Sequence, residues 1–82
     1  MRNMATYNGH KNWGHKNWNY WNVALWIGND EGLYNLARGC KREFKGKAAK
    51  AFVYLMKESG VEKTPDGAKY TVAAVTAAIK EL

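Results

Sequence analysis

One cysteine, one proline and one serine are all that this 82-residue chain contains of those three residue types. The single thiol, Cys40, excludes an internal disulfide and suits a reducing compartment. With Pro65 as the only proline, no Pro-rich linker divides the chain, and the composition is that of a globular domain. Ser59, the only serine, stands beside no His and carboxylate in a recognisable nucleophile arrangement. No apolar run approaches the roughly 20 residues of a membrane span. Residues 1–12 are polar and lack the pattern of a secretion signal, so the chain reads as a soluble intracellular domain. No glycine-rich stretch ends in Lys-Ser or Lys-Thr as a phosphate loop does; the eight glycines are scattered. Acidic residues are also scarce, 7 Asp and Glu against 13 Lys and Arg, which leaves a net charge of +6.

Against these absences stand 46% hydrophobic residues, with four Trp, five Tyr and two Phe. Large side chains in so short a chain serve one small core. Residues 1–16 are rich in Asn, Gly, His and Lys without a sustained period, and read as an irregular N-terminal arm. Residues 17–82 then form the domain. Helical spacing begins near Trp18, with Trp18, Trp21, Leu25, Ala24 and Ile27 recurring at steps of three and four. Gly28 is the expected stop, and Asn29 or Asp30 the cap of the next helix. That second helix is expected over residues 31–38, with Leu33, Leu36 and Ala37 inward, interrupted at Gly39 and Cys40. A third, over residues 41–58, would place Phe44, Ala48, Ala51, Phe52 and Leu55 on one stripe and end at Gly60. Lys63-Thr-Pro-Asp-Gly-Ala has the composition of a tight turn. The last helix, from Thr71 onward, sets Val72, Val75, Ile79 and Leu82 in register. The expected fold is all-α, a small single-domain bundle of about four short helices.

Charge is concentrated. Arg38, Lys41, Arg42, Lys45, Lys47 and Lys50 face only Glu43 within residues 38–50. Such a segment serves as a solvated face, or it recognises an acidic partner, whether nucleic acid or a protein surface. Metal binding fits poorly: His10 and His15 lie five apart, the wrong step for one helix face, and a zinc site needs three or four ligands. Cys40 beside Lys41 and Arg42 has the neighbours of an activated thiol, but a small apolar residue at a helix junction is the simpler reading. No catalytic residue, metal or cofactor is assigned, and the chain reads as a non-enzyme.

Residues 9–18 write Gly-His-Lys-Asn-Trp twice without a gap. Interleaved with Lys11 and Lys16, Trp13, Trp18, Tyr20, Trp21 and Trp26 have the makings of a base-stacking platform. Core spacing claims Trp21 and Trp26 instead, which leaves Trp13 as the candidate surface anchor. The doubled unit reads as an insertion in a tolerant arm leading into the first helix.

Residues 21–37, WNVALWIGNDEGLYNLA, resemble a motif of short uncharacterised proteins from bacteriophages and some plasmids. Those open with Tyr-Asn-Gly, matched here by Tyr7-Asn8-Gly9, and reach Trp-Asn-Val-x-Leu-Trp-Ile-x-Asn-Asp-Glu-Gly-x-Tyr, matched by residues 21–34. The likeness is strong over residues 7–37 and looser in the last helix. Asn19-Tyr20 departs from the usual Glu-Thr, and the doubling of GHKNW is a second departure. The resemblance transfers no functional residue. It implies a small accessory protein made in the bacterial cytoplasm during infection or plasmid entry. Small non-enzymatic proteins of that setting often block host defence complexes, an analogy independent of fold.

The functional expectation is therefore a phage-type inhibitor, of anti-CRISPR or anti-restriction kind, that binds a bacterial nucleic-acid-processing defence complex. Its expected contacts are Trp13, Arg38, Lys41, Arg42, Lys45 and Lys47. Direct DNA or RNA binding through the same residues is the alternative, and sequestration of a small signalling nucleotide a third. No membrane partner is expected, and the oligomeric state is open.

Overall fold

The structure is a computed structural model that describes the backbone of residues 15–82 and the side chains of residues 18–82. Within them the chain forms four α-helices and no strand: α1 (His15–Asn29), α2 (Glu31–Glu43), α3 (Ala48–Glu58) and α4 (Val72–Ile79). The helices pack in a ring, α1 on α2, α2 on α3, α3 on α4 and α4 back on α1. An all-α bundle is thus what the helical spacing predicts. No helix among the described residues is long and apolar enough to cross a membrane.

Helix α1 opens at His15, so residues 15–18 of the second GHKNW copy supply its first turn, and the expected N-terminal arm otherwise lies outside the described residues. No residue from Trp18 through Ile27 is exposed; Asn22, Val23, Leu25 and Ile27 are buried and the others half-buried. A helix covered on all sides does not show a single apolar stripe. Leu25 and Ile27 are buried as the spacing predicts, and Trp18 and Ala24 pack against the core, but Val23 is a core residue that the spacing does not mark. Val23 and Ile27, one turn apart, belong to the central cluster, whereas Trp21 and Trp26 are half-buried and Leu25 is buried apart from it.

Gly28 does not stop the helix in a left-handed conformation; α1 continues to Asn29 and positive φ occurs at Gly46, Gly60 and Gly67. Asp30 takes the expected cap, its Oδ1 accepting the Leu33 N–H at 3.0 Å, with Glu31 at the positive end of α2. Helix α2 then runs through Gly39 and Cys40, against the expected interruption. Ala37 and Cys40, three residues apart, are both buried, and this packing outweighs the cost of about 1 kcal/mol for a mid-helix glycine. The break falls instead at residues 44–47, where Gly46 has φ +80°. Consequently α3 starts at Ala48, not Lys41, and its inward residues are Ala49, Phe52 and Met56. Phe44 and Leu55, expected on the core stripe, are 49% and 38% exposed.

Phe52 is fully buried and its ring meets that of Tyr70 at 5.8 Å between centroids, tilted by 57°. Around it lie Val23, Ile27, Ala37, Cys40, Val75 and Ile79. Thr71 caps α4 by accepting the Ala74 N–H, and Ala74, Val75, Ala78 and Ile79 face inward. Val72, expected in register with Val75, is 40% exposed.

Candidate functional site

Two side chains of the WNVALWI stretch, Asn22 and Trp26, hold a turn. Residues 63–69 reverse the chain: Lys63 and Lys69 form an antiparallel bridge, and the Gly67 N–H donates to the Thr64 carbonyl at 2.9 Å. Pro65 and Asp66 occupy the two central positions, and Gly67 takes φ +97°, where a side chain would be strained. The reversal expected from Lys63-Thr-Pro-Asp-Gly-Ala is therefore present.

Three α1 side chains at steps of three and four grip this turn. Asn19 forms a reciprocal pair with Lys69, donating to its carbonyl at 3.0 Å and accepting its N–H at 2.8 Å. Asn22, 1% exposed, accepts from the Thr64 hydroxyl at 2.6 Å and donates to Asp66 Oδ2 at 2.9 Å. Trp26 donates from Nε1 to the same oxygen at 3.0 Å. Thr64 Oγ1 also accepts the Ala68 N–H at 3.0 Å. A buried amide is tolerated only when its hydrogen bonds are made, and here the turn makes them. The bonds from Asn22 and then Trp26 hold the Asp66 carboxyl below its ordinary range. Nothing in sequence spacing could have joined residues 22 and 66.

Cys40 is 2% exposed and burial pushes its thiol up, which contradicts the activated-thiol alternative. The Ser59 hydroxyl donates to the Leu55 carbonyl at 3.2 Å. Among the described residues no three His, Cys, Asp or Glu side chains come together as a metal site. His10 and the side chain of His15 lie outside the described residues.

The basic segment is on the surface, but in two parts. Arg38 lies along Tyr34, donating to its hydroxyl at 3.1 Å with the guanidinium carbon 5.7 Å from the ring centroid. Arg42 pairs with Glu43 at 3.6 Å, both side chains well exposed. Lys45 is exposed on the link between α2 and α3. Trp13 lies outside the described residues.

Lys41 and Lys47, by contrast, come together on an open groove of about 430 Å³ between the end of α2, the start of α3 and α4. Lys50 and Lys80 complete its charged lining, which contains no carboxylate. The aliphatic part of the lining is Ala48, Ala49, Val72 and Ile79, of which Val72 is the exposed one. Lys41 also reaches the Leu82 carbonyl at 3.3 Å, tying α2 to the chain beyond α4. Lys50 belongs to the basic segment of residues 38–50 but is not among the expected contacts, and Lys80 lies outside that segment altogether. The available signal was the spacing of Val72, Thr76, Ile79 and Lys80 at steps of three and four, of which Val72 and Ile79 were expected in the interior.

The adjacent first turn of α3 carries no acidic residue and no side-chain cap, Lys47 occupying the cap position. Positive potential from the peptide dipoles thus adds to the four ammonium groups. The arrangement attracts anionic groups and offers them aliphatic surface to rest on.

No curated protein and no solved structure matches this chain. A family model does match, over residues 3–82, and the chain belongs to that family, DUF7249, a family of unknown function.

Proposed function

We propose that this protein is a non-enzymatic accessory factor that acts by occupying an acidic surface of a bacterial nucleic-acid-processing defence complex. The observation that carries the reading is the lysine-lined groove, where four cations meet without a single carboxylate among the lining side chains. Cations of one sign steer encounter with an acidic partner and fix its orientation. The phage and plasmid setting comes from the resemblance of residues 7–37. The non-enzymatic part is supported by the side chains themselves: Cys40 is buried, Asp30 caps a helix and Asp66 is tied to Asn22 and Trp26.

The test is capture from infected host extract after nuclease digestion, with the wild type beside a Lys41→Glu, Lys47→Glu, Lys50→Glu variant of equal melting temperature. A defence complex held by the wild type and lost by the variant is the expected result. Tight binding of the purified protein to naked DNA or RNA, steeply weakened by salt, would replace this reading with direct nucleic-acid recognition.

A further inference from the structure

We infer that the groove between α3 and α4 is a docking site for an acidic protein segment carrying an aliphatic anchor, held with Val72 and Ile79 beneath and Lys41, Lys47, Lys50 and Lys80 around it. This rests on the proposed function only in assuming that the basic surface is the one that meets the partner. Three properties of the groove select this occupant.

First, the charge has one sign. Every charged residue of the lining is lysine, so a segment rich in Asp and Glu is attracted and a basic or neutral one is not. Second, the floor is aliphatic. Val72 is 40% exposed although it opens a helix whose Ala74, Val75, Ala78 and Ile79 all face inward. An exposed valine at the base of a groove offers a contact that phosphate groups do not use and a leucine or isoleucine side chain does. Third, the lining contains no aromatic residue and no arginine. Strand-binding grooves hold bases by stacking on aromatic rings, and bidentate phosphate recognition draws on the guanidinium fork. Lysine acts as a point charge without that directional demand, which suits carboxylates on a flexible chain. The two arginines of the basic segment are instead occupied beside Tyr34 and Glu43.

Docking of this kind places an apolar side chain in the centre and charge at the rim, the usual anatomy of a protein contact. The aliphatic anchor supplies residence and the lysines supply rate and selectivity.

The experiment uses the full chain and a fluorescein-labelled peptide, Asp-Glu-Glu-Leu-Glu-Asp-Glu, beside the same peptide with Ser for Leu and a ten-nucleotide poly-dT strand. Binding is read by polarisation at 100 mM salt, and the site by methyl chemical shifts of Val72 and Ile79. The leucine peptide should bind about tenfold more tightly than the serine peptide, as burial of one aliphatic side chain implies. It should also shift both methyl resonances.

Val72→Asp should abolish the leucine preference while keeping the melting temperature, because an acidic residue is favoured in the first turn of α4. Lys80→Glu is a second variant outside the helix core and should weaken both peptides. Equal affinity for the two peptides, a methyl response to poly-dT alone, or no peptide binding at millimolar concentration each overturns the inference. These outcomes separate from those of the capture experiment. Loss of the host complex in the lysine variant, with no leucine preference, keeps the proposed function and removes the groove occupant. Leucine-selective binding with undiminished capture does the reverse.

Discussion

The side-chain amide of Asn22 donates to Asp66 Oδ2 across 2.9 Å, joining the middle of α1 to the tip of a turn 44 residues later. Its carbonyl oxygen is meanwhile taken by the Thr64 hydroxyl. Both ends of a buried amide are thus satisfied by one turn, and the turn has no other strand to lean on. Replacing Asn22 by Ala strips Thr64 and Asp66 of partners at once, and should cost about 1–3 kcal/mol for the unpaired buried group alone. Thr64→Val should cost a similar amount, and the double variant less than the sum of the two, since they share one network. Additive losses in chemical denaturation would show that the two residues act independently.

The Asp66 carboxyl gives the same contact a pH signature. Hydrogen bonds from Asn22 and Trp26 lower its folded pKa. Its contribution is therefore fully present above the unfolded pKa, near 3.9, and is lost as pH falls through the lower folded value. Melting temperature measured from pH 6 down to pH 2 should drop more steeply for the wild type than for Asp66→Asn, whose side chain does not titrate. Parallel acid limbs for the two proteins would detach Asp66 from the stability of the turn.

Phe52 and Leu55 lie three residues apart on α3, yet only Phe52 is in the core. Phe52→Ala should cost about 3–5 kcal/mol, a large share of the stability of so small a domain. Leu55, 38% exposed, should lose much less on the same replacement. Paired denaturation curves decide the matter, and comparable losses would restore the stripe that spacing alone suggests.

Burial also fixes the behaviour of Cys40. Desolvation raises its thiol pKa and closes access to it. A maleimide reagent at pH 7 should label the folded protein orders of magnitude more slowly than the protein in denaturant. Rapid labelling in native buffer would place the thiol at the surface.

Sequence spacing exposes those parts of this fold whose causes are local. Asp30 and Thr71 cap helices through bonds spanning three residues, and the 64–67 reversal follows from Pro65 and Gly67. What spacing hides depends on tertiary partners. Gly39 passes through a helix because Ala37 and Cys40 are both buried, and Val72 stays outside because Val75 and Ile79 occupy the interior. The candidate site shows the same division. Lys41 and Lys47 stand out in a basic run, but Lys80 joins them only through the packing of α4 against α3. The WNVALWI stretch, conspicuous as a motif, holds the turn at residues 63–69 through Asn22 and Trp26.

That division makes the basic surface testable against a simple electrostatic account. Arg38, Arg42 and Lys45 lie outside the groove, whereas Lys47, Lys50 and Lys80 line it. Reversing either set to Glu changes the net charge by the same amount and leaves the buried positions untouched. If net charge governs partner binding, the two variants should weaken it equally and show the same reduced dependence on salt. If the groove governs it, reversal of the lysine set should remove binding, while reversal of the other set slows association and leaves dissociation close to that of the wild type. Rim charges act mainly on the rate of encounter, and contacts inside a docked interface on the lifetime of the complex. Surface plasmon resonance of both variants against the acidic leucine peptide at two salt concentrations separates the alternatives. On naked DNA the slope of log affinity against log salt reports about 0.9 per phosphate neutralised. A slope that falls equally in both variants, with tight wild-type binding, would assign the whole basic surface to nucleic acid.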